Sequence, residues 1–340
     1  MDQLKYFLKM LGWLTVFLLI VELGARLLIK SPTPYNVNDP TLGLVIEKGT
    51  LVLWGEEGYG ITYYQDYGEV ATPYSGGENI LVLGDSNTAA WQVLQSQKFT
   101  SVAEETIRTK GIYVDLHNLG LPSATIADYF YLANGAIEKY NPSLVVIELT
   151  YFQARGAFNS NRNNHFKINQ DGSIDFIHLG NIKKTDQPER VQVKYNKFCN
   201  FSTLSSTIRV ICERTSNLFV DIESSEGIPN NWKDKLPDVA MELRGAYQNI
   251  PMIIILLPNA PVITKDTLKL DDAGDIVYND LSNISDWHII YPLPEFIATA
   301  EQGIMPRGFY NSAPGTGHIN SVGHEIIGKM LASSIEDILR

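Results

Sequence analysis

The residues able to do chemistry fall in two stretches far apart in the chain. The first is Ile80-Leu81-Val82-Leu83-Gly84-Asp85-Ser86-Asn87-Thr88. Four apolar residues run straight into a polar loop, and helix-type sequence follows from about Lys98, so the pattern predicts a buried strand that stops abruptly. A serine just past the carboxyl end of a central strand lies at the rim where α/β sheets bind ligands. The neighbouring glycine lets backbone come close to a substrate. A serine hydroxyl is a poor nucleophile at neutral pH, so acyl transfer at Ser86 needs a base within hydrogen-bond reach and donors aimed at the developing oxyanion. The same residues also read as a plain strand-to-helix turn with Asp85 or Ser86 as helix N-cap.

The second stretch is Gly315-Thr316-Gly317-His318-Ile319-Asn320-Ser321-Val322-Gly323-His324. It is a glycine-rich loop followed by Ile326, Ile327, Met330, Leu331, Ile335 and Ile338, which recur at helical spacing as one face of a terminal helix. His318 therefore sits on a loop just before that helix. Alone, it reads equally as a histidine that caps the helix or satisfies a buried carbonyl. His324 falls inside the apolar pattern and reads as structural. His117, His165, His178 and His288 have no partner motif.

The elements that would position these groups alternate from Glu78 onward. A strand at Asn79 to Leu83 precedes a helix near Lys98 to Lys110. A strand at Tyr113 to Leu116 precedes a helix near Thr125 to Tyr140, and a strand at Leu144 to Leu149 follows the Asn141-Pro142 turn. A fourth, Met252 to Leu257, is nearly all apolar and so buried on both faces. This alternation implies a doubly wound, mostly parallel sheet with helices on both faces, a flavodoxin-like three-layer α/β/α fold. Between the third and fourth strands lies an insert at about 154–235. It opens rich in asparagine and arginine, and His165 to His178 reads as a hairpin turning at Gln170-Asp171-Gly172-Ser173. Such an insert beside strand ends shapes a binding rim.

Ahead of this domain, residues 1–30 carry an uncharged run from Met10 to Val21 with Lys5 and Lys9 before it. The apolar pattern resumes through Ile29, and Leu23-Gly24-Ala25 is a poor cleavage site, so an uncleaved signal anchor is expected, with a cleaved signal peptide as the alternative. Lys5 and Lys9 before the run and Arg26 with Lys30 after it nearly balance, so a location of the rest outside the cytoplasm, periplasmic or at the cell surface, is an expectation that the charges do not fix. Residues 31–77, with Pro32, Pro34 and Pro40 and strand-like runs at Leu51 to Trp54 and Ile61 to Tyr64, read as a spacer or a small strand-rich cap. The domain proper is then 78–340.

The chain has 340 residues, 44% hydrophobic and 19% charged, with a net charge of −11. That composition suits a globular domain with an appendage and argues against a nucleic-acid partner, which needs a clustered basic face. Cys199 and Cys212 are compatible with a disulfide or with two free thiols. No metal-ligand spacing occurs, and no cofactor is called for.

Taken together, the Gly-Asp-Ser block and the His318 block resemble the SGNH hydrolase superfamily, the GDSL-type esterases and lipases, over about residues 78–340. The resemblance implies that Ser86 is the nucleophile and His318 its general base. It further implies oxyanion donors at the Ser86 amide, at Gly120 in Asn118-Leu119-Gly120-Leu121-Pro122-Ser123, and at an asparagine after the third strand. Here that asparagine position is Phe152 in Leu149-Thr150-Tyr151-Phe152-Gln153, and Gln153 carries an amide able to replace the missing donor. The family's triad aspartate falls at Gly315. Either a backbone carbonyl or a distant carboxylate must then orient His318, or activity is low. The implied reaction is hydrolysis of an extracytoplasmic ester, with O-acetyl groups on a polysaccharide as the expected substrate and the membrane as a partner through the N-terminal helix. An O-acyltransferase using the same residues and a non-catalytic polysaccharide-binding or assembly protein are the rival readings.

Overall fold

The computed structural model describes residues 2–28, 36–180, 227–248, 250–258, 262–264, 267–269, 277–279, 281–282, 287–312 and 315–340. Cys199, Cys212 and most of the insert beyond its hairpin lie outside the described residues. The chain begins with helix α1 (Asp2–Leu28). Within it, Gln3–Val21 is long and apolar enough to cross a membrane, with mean hydropathy 1.8.

Three small antiparallel arrangements follow. They are the pair β1 (Asn36–Asp39) and β2 (Gly43–Ile46), then a three-stranded sheet of β3 (Leu51–Trp54), β4 (Gly60–Asp66) and β5 (Glu69–Val70), and, in the insert, the hairpin β9 (Asn164–Ile168) and β10 (Ile174–His178), paired as its turn chemistry requires. Strands β12 (Val262–Thr264) and β13 (Thr267–Lys269) form one more antiparallel pair.

The central sheet contains β6 (Glu78–Leu83), β7 (Val114–Asn118), β8 (Leu144–Leu149), β11 (Met252–Leu256) and β14 (His288–Ile290), in the order β14-β11-β8-β6-β7. Every pairing in it is parallel. Counting only these five strands in chain order, the arrangement is 2-1-3-4-5, the flavodoxin-like winding. The edge strand β14, only three residues long, has no reading of its own in the sequence.

Alternation along the strands sorts their side chains to two faces. Leu81, Leu83, Val145, Ile147, Ile254 and Leu256 point toward α4 (Ile126–Tyr140) and α6 (Leu236–Ala246). Ile80, Val82, Val146, Ile253 and Ile255 point toward α3 (Phe99–Arg108), α7 (Leu293–Glu301) and α8 (Ser321–Leu339). Each fully buried Ile, Leu or Val contributes about 1.5–3 kcal/mol, which makes these two layers the dominant driving force for the architecture.

The winding reverses between β6 and β8, and the carboxyl ends of those strands open onto α2 (Ser86–Ala89) and α5 (Tyr151–Gly156). A third, smaller core joins Ile46, Val52, Tyr64 and Val70 of the N-terminal strands to Ala89 and Trp91 beside α2. The residues between the helix and the main domain therefore pack directly on the element that carries Ser86.

Candidate active site

Ser86 occupies the first position of α2. Asp85 caps this short helix, its side chain accepting from the Asn87 amide at 2.8 Å. Asp85 is therefore the cap, and Ser86 stands beside it at the first helical position. Because the cap serves the second amide of the helix, the Ser86 amide is among the N-terminal donors that the helix itself cannot satisfy. Glycine is required at position 84, where a Cβ would lie 1.8 Å from Thr88 Oγ1 and 2.7 Å from Glu148 Oε2.

His318 reaches this loop from the other end of the chain. Its Nε2 lies 2.9 Å from Ser86 Oγ. The cap of α8 is Asn320, which accepts from the Val322 and Gly323 amides, so His318 is left free of that task. The loop before it turns through two left-handed glycines, Gly315 at φ +74° and Gly317 at φ +76°. Buried Arg307 ties it down, donating from Nη1 to the Gly317 carbonyl at 3.0 Å and from Nη2 to the Pro258 carbonyl at 2.8 Å. Burial lowers the pKa of this guanidinium, opposed by the nearby carboxyls of Glu148, Asp85 and Glu57.

The group that orients the imidazole comes from the segment read as spacer. Glu57, in the loop between β3 and β4, places Oε2 at 2.5 Å from His318 Nδ1 and accepts the His318 backbone N–H on Oε1 at 3.0 Å. Gly315 therefore leaves no vacancy, since the carboxylate position is filled from 261 residues away. The same contact explains Gly317, where a Cβ would stand 2.0 Å from Glu57 Oε1. The Glu57 loop is pinned on both sides. Asn311 accepts from the Gly58 amide at 2.7 Å and donates to the Gly55 carbonyl at 3.1 Å, while the Tyr59 amide donates to the Gln92 carbonyl at 3.0 Å. Lys98 clamps α2 to β4 from beneath, donating to the Ala89 carbonyl at 2.6 Å and to Thr62 Oγ1 at 2.8 Å, and its burial lowers its pKa to about 7.

Two expected donors have other partners. The Gly120 amide donates to Asn118 Oδ1 at 2.9 Å, the Asx-type turn that this residue type favours. The close approach of backbone explains the glycine instead, because a Cβ would meet Ala89 N at 2.2 Å. Gln153 is buried, and its Nε2 donates to Glu148 Oε1 at 3.1 Å, so this amide serves a carboxyl group beneath the Ser86 loop. Phe152, at the family's asparagine position, is exposed.

His324 is buried as its place in the helical pattern required. Its Nδ1 accepts from the Phe99 amide at 3.3 Å, its ring stacks on Phe99, and burial lowers its pKa to about 3. His117 lies between Glu69 and Asn79 at 2.8 and 3.0 Å and fastens β5 to the central sheet, a contact that no sequence motif announced. Glu57 also escaped the sequence reading. The only trace of it there is a pair of carboxylates, Glu56-Glu57, set before Gly58 between two strand-like runs.

The fold and site define an α/β chain that carries a Ser–His–carboxylate row at the switch point of a parallel sheet. No protein-family model matches the chain, and no curated protein does. Among solved structures, the chain is similar to that of TesA, at 12% identity and a TM-score of 0.41 over 77% of this chain and 98% of that one. It is also similar to an acetyl xylan esterase, AlAXEase, at 13% and 0.43 over 76% and 99%, and to a lipase/acylhydrolase from Enterococcus faecalis, at 13% and 0.41 over 77% and 96%.

Proposed function

We propose that this protein is a serine esterase whose catalytic residues are Ser86, His318 and Glu57. The observation that carries the reading is the continuous row from Ser86 Oγ through both nitrogens of His318 to the Glu57 carboxylate. In this reading Ser86 attacks the ester carbonyl while His318 Nε2 takes its proton. Glu57 holds the tautomer with Nδ1 protonated and stabilises the imidazolium. The Ser86 amide donates to the oxyanion. The Gly120 amide joins it on releasing Asn118, and the acyl-enzyme is then resolved by water.

The proposed substrate is a short acyl ester on a carbohydrate, with O-acetyl groups on a polysaccharide foremost. One feature supports it. Exposed Tyr310, with its hydroxyl 3.5 Å from the Gly58 carbonyl, and exposed Tyr59 flank the Glu57 loop as flat amphipathic surfaces. We further propose that α1 anchors the chain in a membrane with the remainder outside the cytoplasm, supported by its apolar span Gln3–Val21.

A fluorophosphonate probe tests the catalytic reading. Wild type is expected to be labelled and to hydrolyse a short-chain aryl ester, with both lost in Ser86→Ala at an unchanged melting temperature. Equal hydrolysis by pure Ser86→Ala protein would overturn the assignment.

A further inference from the structure

Beneath the catalytic row lies a buried carboxyl group that the proposed mechanism does not use. Glu148, near the end of β8, is fully buried. Its Oε2 accepts from the Asp85 amide at 3.0 Å and from Thr88 Oγ1 at 3.1 Å, and its Oε1 accepts from Gln153 Nε2 at 3.1 Å. Glu148 is thus joined to the Asp85 residue through the Asp85 backbone amide.

The contact continues beyond this pair. Asp85 Oδ1 accepts from the Asn87 amide at 2.8 Å and from Asn87 Nδ2 at 3.1 Å. Asn87 Oδ1 in turn accepts from the Ile319 amide at 3.3 Å. Ile319 follows His318 directly. One buried chain of hydrogen bonds therefore runs from β8 through the residues on both sides of Ser86 to the residue after the base.

We propose that Glu148 is a positioning residue that, through the Asp85 amide and Thr88 hydroxyl from which it accepts and onward through Asn87, fixes the distance between Ser86 and His318. The proposal rests on the serine-esterase reading for its catalytic consequence but not for the network itself. The charged and titratable groups facing the pair are Arg307 from the loop above and Tyr129 from α4. Burial first, and the Asp85 charge second, raise the Glu148 pKa well above its ordinary 4.5. Gln153 Oε1 is buried without a hydrogen-bond partner.

Glutamine at 148 keeps a carbonyl that can take the Asp85 and Thr88 donors, while its NH₂ replaces the oxygen that accepts from Gln153 Nε2, so Gln153 must turn its amide to offer Oε1 instead. Alanine removes the link altogether. Glu148→Ala and Asn87→Ala are expected to slow fluorophosphonate labelling of Ser86 by roughly 10- to 100-fold, the cost of a misplaced nucleophile. Glu148→Gln should label within about threefold of wild type.

Melting against pH supplies a readout that is independent of catalysis. A carboxyl whose folded pKa is raised loses stability as pH climbs from 4.5 toward the folded value, since the unfolded chain releases its proton first. The melting temperature of Glu148→Gln should therefore gain on wild type as pH rises above 4.5. Labelling of Glu148→Gln as slow as that of Glu148→Ala, or a melting difference flat with pH, would overturn the proposal. If Glu148→Ala does not fold, the melting comparison of Glu148→Gln with wild type decides the matter. Labelling of wild type no faster than Ser86→Ala would instead refute the esterase reading, and the melting difference would still test the buried Glu148 carboxyl.

Discussion

Replacing Glu57 by glutamine tests the catalytic row most directly, since it changes one charge and almost no volume. The backbone contact to His318 can survive, because the remaining carbonyl oxygen can still accept that N–H, now at 3.0 Å from Oε1. The new NH₂ then faces Nδ1, now at 2.5 Å from Oε2. Two donors cannot share that contact, so the ring is driven to carry its proton on Nε2, where it can no longer accept from Ser86. The lost attraction between carboxylate and imidazolium adds to this. For unit charges about 4 Å apart at an effective dielectric near 20 it is about 4 kcal/mol, or roughly 10³-fold in rate. Side-chain exposures of 17% for Glu57 and 29% for His318 weaken it, so a loss of about 10²- to 10³-fold is expected, below the ~10⁴-fold of the fully buried protease aspartate. The assay is kcat/KM on a short-chain aryl ester with circular-dichroism melting in parallel. Glu57→Gln protein that folds and turns over within about threefold of wild type would refute Glu57 as the orienting carboxylate.

Two other outcomes follow from the same geometry. Gly315→Asp, which restores the family's residue, should give no gain in turnover because Glu57 already occupies the carboxylate position, and at φ +74° it should destabilise the fold by about 1–2 kcal/mol, read as a lower melting temperature. Lys98→Met removes a cation whose folded pKa is depressed from 10.5 to about 7. That depression costs wild type roughly 3–5 kcal/mol at neutral pH and is relieved as pH rises from about 7 to 10.5, so the stability gap between the two proteins should shift in favour of wild type over that window. A gap that stays constant would show that Lys98 is neutralised in some other way.

The sequence by itself determined the layers and two members of the row. The uninterrupted apolar runs at Ile80 to Leu83 and Met252 to Leu256 and the helical spacing of Ile327, Leu331 and Ile335 each state what is buried, and burial is a local property of the pattern. The breaks in those patterns put Ser86 and His318 on loops, and the resemblance to the SGNH hydrolase superfamily is what paired them. Only the tertiary structure decided what orients His318. Glu57 sits in an unremarkable hairpin loop, and it reaches the imidazole because Val52, Tyr64 and Val70 pack on Ala89 and Trp91, a long-range fit to which no local period corresponds. The expected donors at Gly120 and Gln153 show the converse. Their residue types permit the role, but Asn118 and Glu148 lie closer in the folded chain and take up the same N–H groups. Hydrogen-bond donors are claimed by whichever acceptor packing brings near, and a spacing in the sequence carries no record of that competition.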